Sequence, residues 1–200
     1  MVRFLFKFII CLLLAAAVGL GLLAWRSGDP FYTLFEWLSP ARFKQYDPLI
    51  HAVATANKLD PMLVKAVAWR ESRFDPRKLG GAGERGLMQV SEIAAREWAT
   101  ENKIENFQME ELFDPKTGME AGAWYLGRAM VHWQKAGDPI PFALAEYNAG
   151  ASRAQRWAGG DGSKPIPAKT FQKNIDFPGT KNYVESIIDR YRFYQKRGRM

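Results

Sequence analysis

Trp69-Arg70-Glu71-Ser72-Arg73-Phe74 sets a carboxylate where a helix ought to carry an apolar residue. Upstream, Asp60-Pro61 is a strong helix start. The acid can cap free amides, and proline's fixed φ and missing N–H suit the first helical position. The helix is predicted to run to about Ser72. Its apolar residues fall at Leu63, Val64, Val67 and Ala68, and steps of three or four from these land on Glu71. Glu71 is therefore expected at the edge of the buried face. An apolar setting penalises the charged form of a carboxyl and raises its pKa, so that it holds a proton near neutral pH, as a general acid must. The alternative is a boundary glutamate paired with Arg70, Arg73 or Lys65, and helix position alone leaves both readings open.

Toward the N-terminus, Arg3 and Lys7 precede the uncharged run Phe8 to Trp25, long enough to cross a bilayer as a helix. Ala15-Ala16-Ala17 offers small residues for signal-peptide cleavage, but the apolar run continues through Leu20, Leu22 and Leu23, which favours a retained anchor. The cations on the short flank place the N-terminus inside and the rest of the chain outside the cytoplasm. Cys11, the only cysteine, has no partner with which to staple the domain. Residues 1–27 are thus read as a signal anchor and 28–46 as a juxtamembrane segment. The latter holds a short helix between Asp29-Pro30 and Ser39-Pro40, with Phe31, Leu34, Phe35 and Leu38 on one face. That face suits either the membrane interface or packing against the globular domain. The remainder, 47–200, has the size of one domain.

Asp47-Pro48 opens a helix that should cover the one bearing Glu71. Ser91 caps another from Glu92 to about Thr100, with Ile93, Ala94 and Trp98 available for burial. Asp114-Pro115 opens a third through Met119, Gly122, Leu126 and Trp133, whose small residues permit close helix contacts. Asp138-Pro139 opens a fourth, Ile140 to Tyr147, ending at Asn148-Ala149-Gly150. Gly159 to Gly179 reads as a long loop, and a last helix follows Asn182. No long alternation of apolar and polar residues occurs, so the domain is expected to be mainly α. Gly81, Gly83 and Gly86 spell the glycines of a dinucleotide site, but a helix and an Asp-Pro break precede them where that fingerprint needs a strand. They are read as backbone that turns sharply beneath Glu71 or approaches a ligand.

Taken together, Glu71-Ser72-Arg73-Phe74-Asp75-Pro76, Gly86-Leu87-Met88-Gln89, Ala145-Glu146-Tyr147-Asn148-Ala149-Gly150 and Tyr183-Val184 resemble the soluble lytic transglycosylase domain. The four motifs stand in order and cover roughly Pro48 to Tyr194. The resemblance implies a lysozyme-like helical fold that cleaves the β-1,4 bond between N-acetylmuramic acid and N-acetylglucosamine in peptidoglycan, leaving a 1,6-anhydromuramyl end. It implies Glu71 as catalytic acid and Ser72, Met88, Gln89, Tyr147, Asn148 and Tyr183 as substrate-binding residues. Read without it, Met88 is equally core filler, Asn148 a helix-end residue and Tyr183 a packing residue. One departure stands out: the family usually has a serine nine residues after the acid, near the substrate's acetamido group, and here that position is Gly80. Glu84 and Arg85, also unusual in the glycine stretch, either supply the missing contact or pair with each other.

Most glycosidases need two carboxylates, so a lone acid implies help from the substrate's own acetamido group. A hydrolase in which Asp75, Glu84 or Glu146 positions a water is the rival, and a non-catalytic wall-binding module is a second. The net charge of +7 raises nucleic acid as a partner, but the basic residues are scattered without a recognition motif, and such a surface equally suits anionic wall polymers or lipid head groups. His51 and His132 lack neighbours at metal-ligand spacing, so neither a metal nor a cofactor is expected. The expected setting is the inner membrane, single-pass, with peptidoglycan strands as the extracytoplasmic partner.

Overall fold

The computed structural model describes residues 2–25, 30–38, 40–160 and 166–198. Their helices are α1 (Val2–Trp25), α2 (Pro30–Leu38), α3 (Pro40–Lys44), α4 (Asp47–Ala56), α5 (Pro61–Ser72), α6 (Glu92–Glu101), α7 (Pro115–His132), α8 (Ile140–Ala149), α9 (Ala151–Ala158), α10 (Ala168–Asn174) and α11 (Pro178–Arg197), with a 3-10 turn at Met109–Phe113. The only pairings of β type among these residues are isolated bridges from Arg85 to Leu79 and to Val90, so the fold is the mainly helical one expected. Asp29, Ser39, the 27/28 boundary and residues 161–165 of the expected loop lie outside the described residues.

The chain divides into two compact units, Met1–Gln45 and Tyr46–Met200. In the first, Leu5–Leu22 of α1 is long and apolar enough to cross a bilayer, and none of it is buried. Phe31, Leu34, Phe35 and Leu38 of α2 are exposed together.

The second unit is built around α5. Asp60 accepts the Met62 amide at 2.8 Å, and Pro61 opens the helix as the sequence indicates. From Leu63 to Trp69 every residue of α5 is buried, whichever way it points, as befits a helix enclosed on all sides. The helices α4 and α11 pack against it. Even Lys65 is enclosed. Its Nζ meets Asp47 Oδ1 at 2.6 Å and lies over the Tyr194 ring, so the buried cation is paired where α4 begins. Arg73 ends the helix in the left-handed region.

Beside this core, α7 packs against α4, α6, α8 and the 3-10 turn. Its glycines serve more than helix contacts. Gly127 does admit the end of α4, where a Cβ would lie 3.2 Å from the Asn57 carbonyl oxygen. A Cβ at Gly122 would lie 2.5 Å from Met88 Cβ, and one at Gly118 would lie 2.5 Å from the Leu112 carbonyl oxygen, so the small residues admit the Gly80–Val90 segment and the 3-10 turn. Phe142 of α8 stacks on Phe171 of α10 at 3.9 Å between ring centres, with Trp133 alongside.

Three features differ from the sequence reading. The chain resumes at once as α9 after Gly150, whose φ of +85 makes a one-residue junction. Within the expected loop Gly159 to Gly179 lies α10, anchored by the single buried residue Phe171, too little apolar content for periodicity to register. Finally, α11 starts at Pro178, not after Asn182, because proline at the first helical position begins the helix one turn before its apolar face does.

Candidate active site

Glu71 occupies the last turn of α5, where one side of the helix meets a cleft of about 930 Å³. The floor comes from α5 and the Gly80–Val90 segment, and the walls from Tyr125 of α7, Tyr147 and Asn148 of α8, and Thr180 and Tyr183 of α11. Each wall residue is delivered by helix packing, which fixes the site on rigid elements.

Tyr183 is 3% exposed and donates its hydroxyl to Glu71 Oε1 at 2.5 Å. Burial pushes the Glu71 carboxyl up from 4.5 to about 7. The Tyr183 hydrogen bond, Arg70 and Lys78 each hold it back from rising further, and the Glu84 carboxylate adds to the rise. Glu71 does stand half-buried at the boundary of the helix's buried face, but none of Lys65, Arg70 and Arg73 forms an ion pair with its carboxylate. Lys65 is engaged with Asp47, Arg70 donates to Ser186 Oγ at 3.0 Å, and Arg73 donates to the Trp69 carbonyl while stacking over that indole. Lys78 reaches the Glu71 backbone, its Nζ donating to the carbonyl at 2.7 Å.

Tyr147 donates to the Met88 carbonyl at 2.8 Å and meets the Tyr125 ring edge-on. Burial raises both the Tyr147 and Tyr183 hydroxyls well above the ordinary phenol range, so both stay neutral donors. Gln89 adopts φ +47 and donates from Nε2 to the carbonyls of Lys78 and Gly86 at 2.9 and 3.0 Å, which turns its Oε1 toward Gly80. Asn148 Oδ1 accepts the Thr180 hydroxyl at 2.8 Å, tying α8 to α11 where both line the cleft.

Glu71, Gln89, Tyr147, Asn148 and Tyr183 thus line one cavity, but two residues expected to meet the substrate do not. Ser72 is buried on the inward face of α5 and donates to the Leu87 carbonyl at 2.7 Å, fastening the glycine segment to the helix. The Met88 side chain is fully buried, filling the space opposite Gly122. Conversely, Ile93, expected in the core, is 75% exposed and lines the cleft. Lys78, Tyr125 and Thr180 were not singled out from the sequence; nothing in their local pattern separates them from ordinary helix and loop residues. Of the three acids weighed as water-positioning groups, Asp75 caps the Arg77 amide in a turn, and Glu146 is buried against Trp133 Nε1 and His132 Nδ1. Only Glu84 faces the cleft.

The sequence profile of the Transglycosylase SLT domain family matches residues 48–169, more than half of the chain. The chain belongs to this family. The SLT domain here is 27% identical over 151 residues to the soluble lytic murein transglycosylase of Escherichia coli K12, covering 75% of this chain and 23% of that protein. It is 31% identical over 112 residues to the membrane-bound lytic murein transglycosylase F of Desulfosudis oleivorans, covering 54% and 23% respectively. The crystal structure of the 70 kDa soluble lytic transglycosylase from Escherichia coli superposes with a TM-score of 0.65 at 27% identity, over 75% of this chain and 24% of that one. The SLT domain therefore spans about a quarter of the length of these relatives.

In this SLT domain the Tyr183–Glu71 bond is open to a direct test. A hydrogen bond to an ionised group is worth about 1.5–3 kcal/mol, and 1.36 kcal/mol corresponds to one pH unit of titration. Tyr183→Phe removes a donor that favours the carboxylate, so Glu71 is expected to titrate about one pH unit higher, read by carboxyl-carbon NMR. An unmoved titration would mean the bond does not set the acid's strength.

Proposed function

We propose that the chain is a peptidoglycan lytic transglycosylase. Glu71, protonated near neutral pH, gives its proton to the glycosidic oxygen while the muramyl 2-acetamido oxygen attacks the anomeric carbon. The ionised Glu71 then takes the proton from the substrate's own 6-hydroxyl, whose oxygen displaces the acetamido group and closes the 1,6-anhydro ring. No water enters, and one side chain serves as acid, then base. The observation that carries this reading is Glu71 itself: a carboxyl raised to about 7, held by Tyr183 and open to a cleft large enough for several sugar units. A pKa near the working pH suits a group that must both give and take a proton. Family membership and the relatives named as lytic murein transglycosylases support it. Gln89, Tyr147, Asn148 and Tyr183 then hold the sugar's amide and hydroxyl groups, while Ser72 and Met88 support the floor.

Residues 1–27 serve as a single-pass anchor in the inner membrane, 28–46 as a juxtamembrane segment, and 47–200 as the catalytic domain on the extracytoplasmic side. The unburied apolar span of α1 and the membrane-bound relative support this placement.

Mass spectrometry of peptidoglycan digested by the full chain in detergent tests the reaction. Muropeptides lighter by one water and lacking a reducible end are expected. Reducing ends would make the chain a hydrolase, and binding without products would make it a wall-binding module.

A further inference from the structure

Residues Gly80 to Glu84 form a tight reversal. The Gly80 amide donates to the Glu84 carbonyl at 2.7 Å and the Gly83 amide to the Gly80 carbonyl at 3.2 Å, and Leu79 and Arg85 pair across the base. The turn folds the Glu84 side chain back over its own backbone, where Oε2 accepts the Ala82 amide at 3.1 Å. Gly80 is not in the left-handed region, so the backbone alone does not demand glycine there. Space does. A Cβ at position 80 would overlap Glu84 Oε2 and lie 2.9 Å from Gln89 Oε1. The Glu84 carboxylate has taken the volume that a side chain at position 80 would occupy. Arg85 is not its partner: it turns away to Glu110 at 3.4 Å and over the Phe113 ring. Among the described residues, Glu84 Oε1 has no hydrogen-bond donor, and the side chain lines the same cleft as Glu71.

We propose that Glu84, seated in the space left open at Gly80, is a substrate-binding carboxylate that accepts the amide N–H of the 2-acetamido group whose oxygen attacks the anomeric carbon. The proposal rests on the transglycosylase reading. An ionised carboxylate only accepts hydrogen bonds, and an N-acetylated sugar offers its amide N–H as a donor. As the bond from the anomeric carbon to the leaving oxygen breaks and the bond to the acetamido oxygen forms, positive charge spreads onto that nitrogen. A fixed carboxylate on the N–H stabilises the charge as it develops. The proton stays on nitrogen throughout, and Glu71 alone exchanges protons with the substrate. The groups facing Glu71 are Arg70 from α5, Lys78 and Glu84 from the segment after it, Tyr147 from α8 and Tyr183 from α11. Neutralising Glu84 removes the one anionic neighbour among them, so Glu71 then titrates lower.

The test measures kcat, KM, pH profile and product ends on soluble N-acetylglucosaminyl–N-acetylmuramyl strands with the full chain. Alongside wild type run Glu84→Gln, Glu84→Ala, Gly80→Ser, and Gly80→Ser with Glu84→Ala, each checked for an unchanged melting temperature. Glu84→Gln is expected to lower kcat about 10²-fold with KM within about threefold, the size of effect seen when one charge-stabilising group is removed from an active site. The basic limb of its pH profile moves toward acid, with products still anhydro-ended. Gly80→Ser alone displaces the carboxylate and is impaired. In the Glu84→Ala background the vacated space accepts the serine, so the double variant recovers at least about tenfold over Glu84→Ala, a strong non-additivity between touching sites. A kcat for Glu84→Gln within twofold of wild type overturns the proposal while leaving the transglycosylase reading intact. Reducing-end products from wild type that vanish in Glu84→Gln would overturn both, making the chain a hydrolase with Glu84 as its water-positioning base. Wild-type reducing ends that persist in Glu84→Gln would overturn the transglycosylase reading itself, and this proposal with it.

Discussion

Glu71→Gln is expected to lower the rate of anhydromuramyl product formation by at least about 10⁴-fold, because general acid and general base catalysis each contribute about 10²–10⁴ and this substitution removes both. The amide keeps the size of the carboxyl and can still accept from Tyr183, so binding to strands should persist while turnover stops. Stability moves the other way, and its pH dependence identifies the cause. Glu71 has an ordinary value of 4.5 and a folded value near 7. Below pH 4.5 the carboxyl is protonated in both folded and unfolded chains, so wild type and Glu71→Gln should be equally stable. Between 4.5 and 7 the unfolded chain ionises first, and wild-type stability falls as pH rises. Above 7 the loss is complete, with an upper bound of roughly 3 kcal/mol, reduced to the extent that cleft water solvates the carboxylate. Glu71→Gln has no charge to desolvate and should melt higher than wild type at pH 8 but not at pH 4. Denaturant titrations at the two pH values check this. A pH-independent difference would mean that the carboxyl is not desolvated as its position indicates.

The helix that carries this residue was legible in the sequence because its signals are local. Asp60-Pro61 fixes its start, and the spacing of Leu63, Val64, Val67 and Ala68 marks its buried face, though not the enclosure of Lys65 and Ala66 on the other side. The acid's partner was not legible. Tyr183 lies 112 residues further along, and its pairing with Glu71 follows only from the packing of α11 on α5. Its motif placed it in the site without saying what it touches. Ser72 and Met88 show the converse: a motif names residues together, yet the fold sends Glu71 outward and the adjacent Ser72 inward. Ile93 reads as core and stands exposed at the cleft, since apolar character alone does not separate a packing face from a surface open to ligand. The path of Arg85 to Glu110 and that of Glu84 into the space beside Gly80 depend on where the 3-10 turn docks, and no local pattern in the sequence carries that information.

That docking supports the second large expectation, that Gly86→Ala destabilises the domain by about 2–5 kcal/mol and removes activity with it. Gly86 has φ +78, where an L side chain costs about 1–2 kcal/mol. Its new Cβ would overlap the carbonyl oxygen of Leu112, a backbone atom that no rotamer change can move, adding about 1–3 kcal/mol of overpacking. Relief by moving the 3-10 turn is blocked on its other side, because the same carbonyl oxygen lies against Gly118 of α7. The segment must shift instead. Gly86 donates to the Lys78 carbonyl at 3.0 Å and accepts from both the backbone amide and the Nε2 of Gln89, so displacing it releases Gln89 and with it the wall of the space that Glu84 fills. Gly83→Ala isolates the two causes. Gly83 has φ +90 but no atom within 4 Å of a Cβ, so it should show the conformational cost alone, about 1–2 kcal/mol, with most activity retained. Equal losses in urea midpoint for the two variants would show that backbone conformation, rather than contact with Leu112, is what Gly86 supplies. A larger loss at Gly86, together with fallen activity, would show that a contact with Leu112, remote from the cleft, holds its floor in register.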